Sequence, residues 1–429
     1  MSSTMNENDA VGDFIRSAEA LSTSVENLSE DDRSRVLLKL SELTMNVESP
    51  WETFVRLFLS EPAVLASVKI LQDLNIFKKW KGNESRPMTC AQLTGLAEGS
   101  CDAALLCDLS RLWYLIAVSH ILPDRLLRLL VSNNIVEMTS EKTYKPTKFC
   151  DQLADSAFST TATFYYDHTV PMFTHMPTFF RETSYENPHS ARKTVFDSAH
   201  GWQGGLFAYL EAHPAEGEAF NTLQRTTTLN RASWTSIFPS HTLLDSGSGD
   251  DDPDSPLLVD IGGSVGQDLQ AFYELHPETA SRLYLEDLPS VLADEKTNVL
   301  KEINKVAYDF YTPQPIKHAR AYYMHHILHD WPDKQARRIL EMQKAALKPG
   351  GNSRILIHDQ IMDDDVRVVH PHAAVFDISM MAFGAAQERT EKEWRALIES
   401  AGLRVVKIWR VPGAVQGVIE VGLREGAKL

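Results

Sequence analysis

The feature that most restricts this chain is the run Leu257-Leu258-Val259-Asp260-Ile261-Gly262-Gly263-Ser264-Val265-Gly266. An apolar stretch without polar alternation suits a strand covered on both faces, the condition of a parallel strand between helix layers. The glycines that follow let the backbone turn sharply and approach a ligand at the strand's carboxyl end, where open α/β sheets bind their ligands. Glycine turns are also common punctuation after strands, so this run alone leaves a plain turn and a ligand loop open.

The following strand shifts the balance toward a ligand. Arg282-Leu283-Tyr284-Leu285 reads as a second strand that ends in Glu286-Asp287-Leu288-Pro289. A carboxylate roughly 20 residues beyond the glycines is placed to accept hydrogen bonds from ribose hydroxyls, although a charged strand end is also ordinary surface. The glycines are spaced G-G-x-x-G, not G-x-G-x-x-G, and no G-x-x-x-x-G-K-[ST] run occurs. A dinucleotide and a P-loop triphosphate are therefore disfavoured, and a phosphate-free nucleoside such as S-adenosylmethionine fits better by elimination.

A third block carries a family resemblance. Ala319-Arg320-Ala321-Tyr322-Tyr323-Met324-His325-His326-Ile327-Leu328-His329-Asp330-Trp331-Pro332-Asp333, with Leu347-Lys348-Pro349-Gly350-Gly351 after it, resembles the fourth-strand region of S-adenosylmethionine-dependent O-methyltransferases of the caffeate type. Together with the glycine loop, Asp287-Leu288-Pro289, Asp309-Phe310 and Glu388-Arg389-Thr390, it looks most like the fungal branch acting on secondary metabolites.

The resemblance implies roles residue by residue. Gly262, with its neighbours Asp260, Gly263 and Gly266, would face the amino-acid part of the cofactor; Asp287 would take the ribose hydroxyls; Asp309 and Phe310 would lie near the adenine; and His325 would contact the cofactor. His329 would be the general base, oriented by Asp359 after the fifth strand and by Glu388. The chemistry independently wants these types: an imidazole titrating near neutrality can accept a phenolic proton, and a carboxylate on its other nitrogen fixes the tautomer. The deprotonated oxygen would then attack the sulfonium methyl in line. Some members of the branch instead catalyse pericyclic or dehydration steps and use the cofactor as a fixed positive charge.

Other readings of these histidines compete. A histidine before Asp-Trp can simply cap a helix. His325 and His329 stand one helical turn apart, as in H-E-x-x-H zinc sites, but no glutamate follows His325 and the preceding run reads as a strand, so no metal is expected. His370-Pro371-His372 reads as a loop. The chain also departs from the family pattern: Ser264 stands where a third glycine is usual, His325 where plant members carry lysine, and His326 where an aromatic residue is usual.

Aromatic and methionine side chains cluster at His168, Met172, Phe173, Met176 and Phe180, and again at Met380 and Met381. They suit a flat aromatic acceptor, and the family places Met380 and Met381 near it, but at helical spacing such residues are more often plain core.

At 429 residues the chain is too long for one ordinary core. The expected fold is α/β: a Rossmann-like doubly wound methyltransferase sheet over 156–429, with a helical linker at about 156–240, preceded by a mainly helical winged-helix domain over 1–155. In the family that first domain dimerises. A winged helix suggests DNA, yet a net charge of −16 disfavours nucleic acid and anionic membrane as partners. Residues 1–27 show no apolar signal core, which points to the cytosol, and the stretch Leu105–Leu122 carries too many charges to span a membrane. Cys90, Cys101, Cys107 and Cys150 lack metal spacing and are expected as free thiols. Asp13 is a plausible cap for a first amphipathic helix, Cys107–Asp124 looks like an insertion, and the acidic run Asp245–Pro256 reads as a surface loop.

Overall fold

The computed structural model describes residues 7–98, 121–190, 192–229, 233–245, 254–293, 302–350, 352–364, 371–411 and 415–424. Most of Cys107–Asp124 and of the acidic run lies outside them. The chain divides into two compact units, Met1–Ala63 with Val411–Ala414, and Val64–Arg410 with Val415–Leu429. The boundary expected at 155/156 thus falls inside the second unit, because helix Ser156–Phe164 packs on both the preceding helix Lys148–Leu153 and helix Pro214–Leu229.

The first unit is helical. Glu7–Ser22 begins a full turn before Asp13, which lies inside the helix and pairs with Arg16 instead of capping it. Ser29 caps Glu30–Val47 through the Asp32 N–H, and Ser49 with Glu52 forms a capping box on Pro50–Val55. Phe14, Ile15, Leu37, Leu40, Trp51, Phe54 and Phe58 are exposed, and Trp51, Phe54 and Phe58 form a ladder of stacked rings.

In the second unit, β1 (Met88–Thr89), β2 (Val136–Ser140) and β3 (Thr143–Pro146) form an antiparallel sheet in the order β1-β3-β2, and the expected hairpin is its β2–β3 pair. It covers a core of Trp80, Leu93, Leu127, Leu130 and Tyr144. Cys90 and Cys150 are buried and not joined in a disulfide.

The large sheet contains β4 (Leu258–Ile261), β5 (Leu283–Asp287), β6 (Asn304–Ala307), β7 (Ala321–His325), β8 (Arg354–Met362), β10 (Leu403–Arg410) and β11 (Gln416–Leu423), ordered β10-β11-β8-β7-β4-β5-β6, with β9 (Arg389–Thr390) paired to β8. From β8 to β6 the pairing is parallel, while β11 is antiparallel to both neighbours. The chain leaves β4 toward β5 and β6, then returns to β4's other side as β7. That reversal places the carboxyl ends of β4 and β7 at the switch point where doubly wound sheets bind ligands. Every residue of β4 is buried, as a strand between two helix layers requires. Asp359 lies within β8, opposite Gly417 of β11, not after the strand. Pro371 opens a helix, Pro371–Gly384, where a loop was expected.

Glu286, fully buried in β5, accepts from Gln314 Nε2 at 2.7 Å, while its other oxygen has no partner among the described residues. Burial pushes its carboxyl up from 4.5 to about 7, against the opposing hydrogen bond from Gln314. The folded state thus binds this proton more tightly than the unfolded chain. Stability from this group is gained as pH falls through about 7 toward 4.5, and its ionised form costs about 3 kcal/mol above that range. Glu286→Gln is expected to raise Tm by several degrees near pH 9 and to give no gain near pH 5. Equal Tm changes at both pH values would contradict this.

Candidate active site

The glycine turn is shaped by what surrounds it. Gly262 has φ +68°, and a Cβ there would stand 2.6 Å from Ile327 Cδ1; a Cβ on Gly263 would stand 2.5 Å from Asp260 Oδ2 and 2.6 Å from Leu285 Cδ1. No side chain fits either place without displacing β4's acid or the turn after β7. Gly266, at φ +84°, starts helix Gln267–Leu275. Ser264 holds φ +53°, a conformation that glycine would take without strain. Its N–H donates to Asp287 Oδ2 at 2.8 Å, and the Leu288 N–H donates to Asp287 Oδ1 at 2.7 Å. The strand-end carboxylate therefore staples the turn in place.

Asp260, Asp287 and His325 converge at these strand ends. Burial, with Asp268, Asp287 and Glu286 nearby, pushes the Asp260 carboxyl well above its ordinary range. Burial also raises Asp287, against the two N–H donors. His325 Nδ1 is 2.7 Å from Asp268 Oδ2, and its ring stacks on His358 at 3.9 Å. Asp260 Oδ2 and His325 Nε2 are buried without a hydrogen-bond partner among the described residues. Orphaned polar atoms beside a backbone cradle closed to side chains fit a small polar cofactor. Asp309 is exposed at the end of β6, and Phe310 packs edge-on to Trp331 at 6.2 Å.

His329 sits on a short 3-10 turn, Leu328–Asp330, just past β7 and is buried. Its Nδ1 is 2.9 Å from Glu388 Oε1 and 3.5 Å from Asp359 Oδ1; its Nε2 is 3.4 Å from Asp330 Oδ1. Glu388 thus makes the hydrogen bond, and Asp359 acts through its charge. Burial disfavours the charged ring, but Asp359, Glu388 and Asp330 outweigh it and push His329 up to about 10. Asp330 and Asp359 rise to about 6, chiefly by burial.

Ligating atoms gather in two sets, Asp268/His325/His358 and His326/His329/Asp359. His325 and His329 fall in different sets, so the two do not share one set of the H-E-x-x-H kind.

Helix Val170–Glu182 packs against helices Val195–His200 and Pro371–Gly384. Met172 is enclosed among Phe164, Phe179 and Phe196 and is core; Met176 and Phe180 are partly buried against that cluster. Phe173, Met380 and Met381 are half-buried. His168 is bonded to Glu216 at 2.9 Å and to His200 at 3.0 Å.

An O-methyltransferase domain model matches residues 186–404. The chain is 43% identical to the O-methyltransferase mfmE of Annulohypoxylon moriforme over 92% of its own length and 91% of that protein's. It is 31% identical to the O-methyltransferase penC of Penicillium thymicola over 92% of each chain. Among solved structures, a pericyclic reaction enzyme matches with a TM-score of 0.81 at 25% identity, covering 96% of this chain and 100% of the other.

The chain belongs to the O-methyltransferase family. As a member it is an S-adenosylmethionine-dependent O-methyltransferase. Among the described residues no helix is long and apolar enough to cross a membrane.

One residue of this methyltransferase's site carried no role in the sequence reading. Arg389, fully buried beside Glu388, donates to Leu328 O at 2.9 Å, Trp331 O at 2.8 Å and Asp333 Oδ1 at 2.9 Å, with its guanidinium over the Trp394 ring at 5.1 Å. It ties both ends of the His329 turn to β9. The only local signal was a capping box, Thr390 with Glu393, which marks where the next helix starts. A lysine ammonium, with its donors on one nitrogen, cannot span acceptors that the guanidinium reaches from separate nitrogens. Arg389→Lys is expected to lower Tm by several degrees and kcat about tenfold or more, with S-adenosylhomocysteine affinity changed less than about threefold. Unchanged Tm and kcat would remove this role.

Proposed function

We propose that the methyltransferase methylates a phenolic or enolic hydroxyl of a small aromatic, polyketide-like metabolite, with His329 as general base. The observation that carries this reading is the buried 2.9 Å hydrogen bond between His329 Nδ1 and Glu388. With Nδ1 committed, Nε2 is the ring atom left to take an acceptor's proton. S-adenosylmethionine, when bound, supplies a methyl group made electrophilic by its sulfonium charge. Asp260, Gly262, Gly263, Gly266, Asp287, Asp309, Phe310 and His325 are the residues we assign to holding it.

Asp359 and Glu388 stabilise the imidazolium formed when the proton arrives, and Asp330 adds to them. Most of the rate then falls to positioning, which contributes up to roughly 7–11 kcal/mol in ideal intramolecular systems. Phe173, Met176, Phe180, Met380 and Met381 would wall the acceptor, with Met172 as support beneath them and His168 held by Glu216.

We read the helices and small sheet ahead of the large sheet as a winged-helix dimerisation region. Its apolar ladder, Trp51, Phe54 and Phe58, is exposed and stacked into one row, the kind of patch that marks an interaction site. A second copy is the occupant we assign to it. A Trp51→Glu, Phe58→Glu double variant is expected to sediment as a monomer where the parent sediments as a dimer.

The test of the reaction is mass spectrometry of a phenolic extract incubated with enzyme and S-adenosylmethionine. A product heavier by one methylene supports methylation. The structural likeness to a pericyclic reaction enzyme favours a second reading, in which an isomerised product appears with no mass gain.

A further inference from the structure

The turn carrying His329 holds a second imidazole that the proposed chemistry does not use. His326 stands at φ +54°, a left-handed conformation uncommon outside glycine and asparagine. Its N–H donates to His358 O at 3.2 Å. Its Nδ1 lies 3.3 Å from His329 Nε2, and its Nε2 lies 2.5 Å from the side-chain amide of Gln416, the first residue of β11. Since Glu388 occupies Nδ1 of His329, His326 sits on the one ring nitrogen an acceptor can reach.

One proton lies between the two rings in either charge state. A neutral His329 accepts it from His326 Nδ1–H while Gln416 Nε2 donates to His326 Nε2; a cationic His329 donates its own once the Gln416 amide turns its oxygen toward His326 Nε2–H. Also facing the pair are Asp330, 3.4 Å from His329 Nε2; Asp359, 3.9 Å from His326 Nδ1; Glu388, 2.9 Å from His329 Nδ1; and the His325 ring, 4.4 Å from that of His326. An aromatic side chain at this position could wall the acceptor but could not hold His329.

We infer that His326 is a positioning residue that pins Nε2 of His329 in the acceptor-free site and yields that place to the acceptor's hydroxyl. Each binding event then exchanges an N–H···N bond between two rings for an O–H···N bond to the acceptor. Gln416 keeps the displaced ring from leaving. The inference rests on the base role proposed for His329.

Two variants suit the backbone at this position. Glycine takes φ +54° without strain and removes the ring, while asparagine tolerates the same conformation and keeps a donor and an acceptor near the place of Nδ1. The 15N spectrum of the acceptor-free parent protein is expected to show coupling between His326 Nδ1 and His329 Nε2 across the hydrogen bond. With the acceptor recovered from the mass-gain assay, His326→Gly is expected to lower acceptor KM about fivefold, because no bond must first be broken, and to lower kcat, because the ring is no longer held. His326→Asn is expected to move both back toward the parent. Absence of the coupling, or a His326→Gly variant whose acceptor KM is unchanged or raised, overturns the inference. Full turnover by His329→Gln would overturn the base role itself, whereas an inactive His329→Gln beside an unaltered His326→Gly overturns only the role of His326.

Discussion

His329→Gln should lose methyl transfer by about a hundredfold or more while keeping S-adenosylhomocysteine affinity within about threefold. Glutamine can still donate to Glu388, so the turn keeps its buried hydrogen bond, but the amide cannot carry the acceptor's proton. Apart from His325 at the end of β7, the residues assigned to the cofactor lie on β4, its glycine turn and the ends of β5 and β6, not on the turn that carries His329. The two effects should therefore separate. The pH profile sharpens this. Because Asp359, Glu388 and Asp330 outweigh burial and hold the proton on His329 up to about pH 10, the base form is scarce at neutrality in the cofactor-free protein. Transfer should then rise with pH along a limb between 6.5 and about 10. A bound cation opposes the ring's charge, so this limb should lie lower for kcat than for acceptor-free, cofactor-free His329 followed directly by NMR. For stability the sign runs the other way: the folded value of His329 exceeds the unfolded one, so its bound proton stabilises fully near 6.5, where Asp330 and Asp359, raised to about 6, are still largely ionised, and that contribution is lost as pH rises through about 10. A flat rate profile over that range, or turnover by His329→Gln near the parent's, would take the base role away.

The parts of this site that the sequence made legible are those set by local chemistry. Leu258–Ile261 had to be a covered strand because its apolar run is unbroken, and Gly262 and Gly263 had to turn because no side chain fits there. The acid at the end of β5 followed from spacing. What was not legible depends on contacts between distant segments. Asp359 was expected beyond its strand because the apolar run stops at Ile357, yet pairing to β11 carries the strand on to Met362. Asp13 looked like a cap because helix-compatible residues before it, from Glu7, carry no apolar stripe to announce the helix. The hold of Arg389 on Leu328 and Trp331, and of His326 on His329, joins side chains to a turn whose backbone path no periodicity encodes. Met172, within a methionine and aromatic cluster that suits either use, proved to be core because its helix presents it to Phe164 and Phe179.

Asp287→Ala is the change expected to cost the methyltransferase its cofactor. The carboxylate does two things at once. It receives the Ser264 and Leu288 N–H groups, at 2.8 Å and 2.7 Å, and it is the acid we assign to the ribose hydroxyls. Alanine would leave both N–H groups without this acceptor and release Ser264, which holds φ +53° at a cost that the hydrogen bond offsets. Hydrogen bonds to a charged group contribute about 1.5–3 kcal/mol each, so losing a pair of them to the ribose should weaken S-adenosylhomocysteine binding by roughly a hundredfold or more. Calorimetry of the variant measures this directly. Ser264→Gly separates the two effects, since it keeps the N–H that Asp287 accepts and removes the left-handed strain. It should bind at least as tightly as the parent. If Asp287→Ala bound within about threefold of the parent, the acid would be a structural staple and the ribose would have to be held elsewhere.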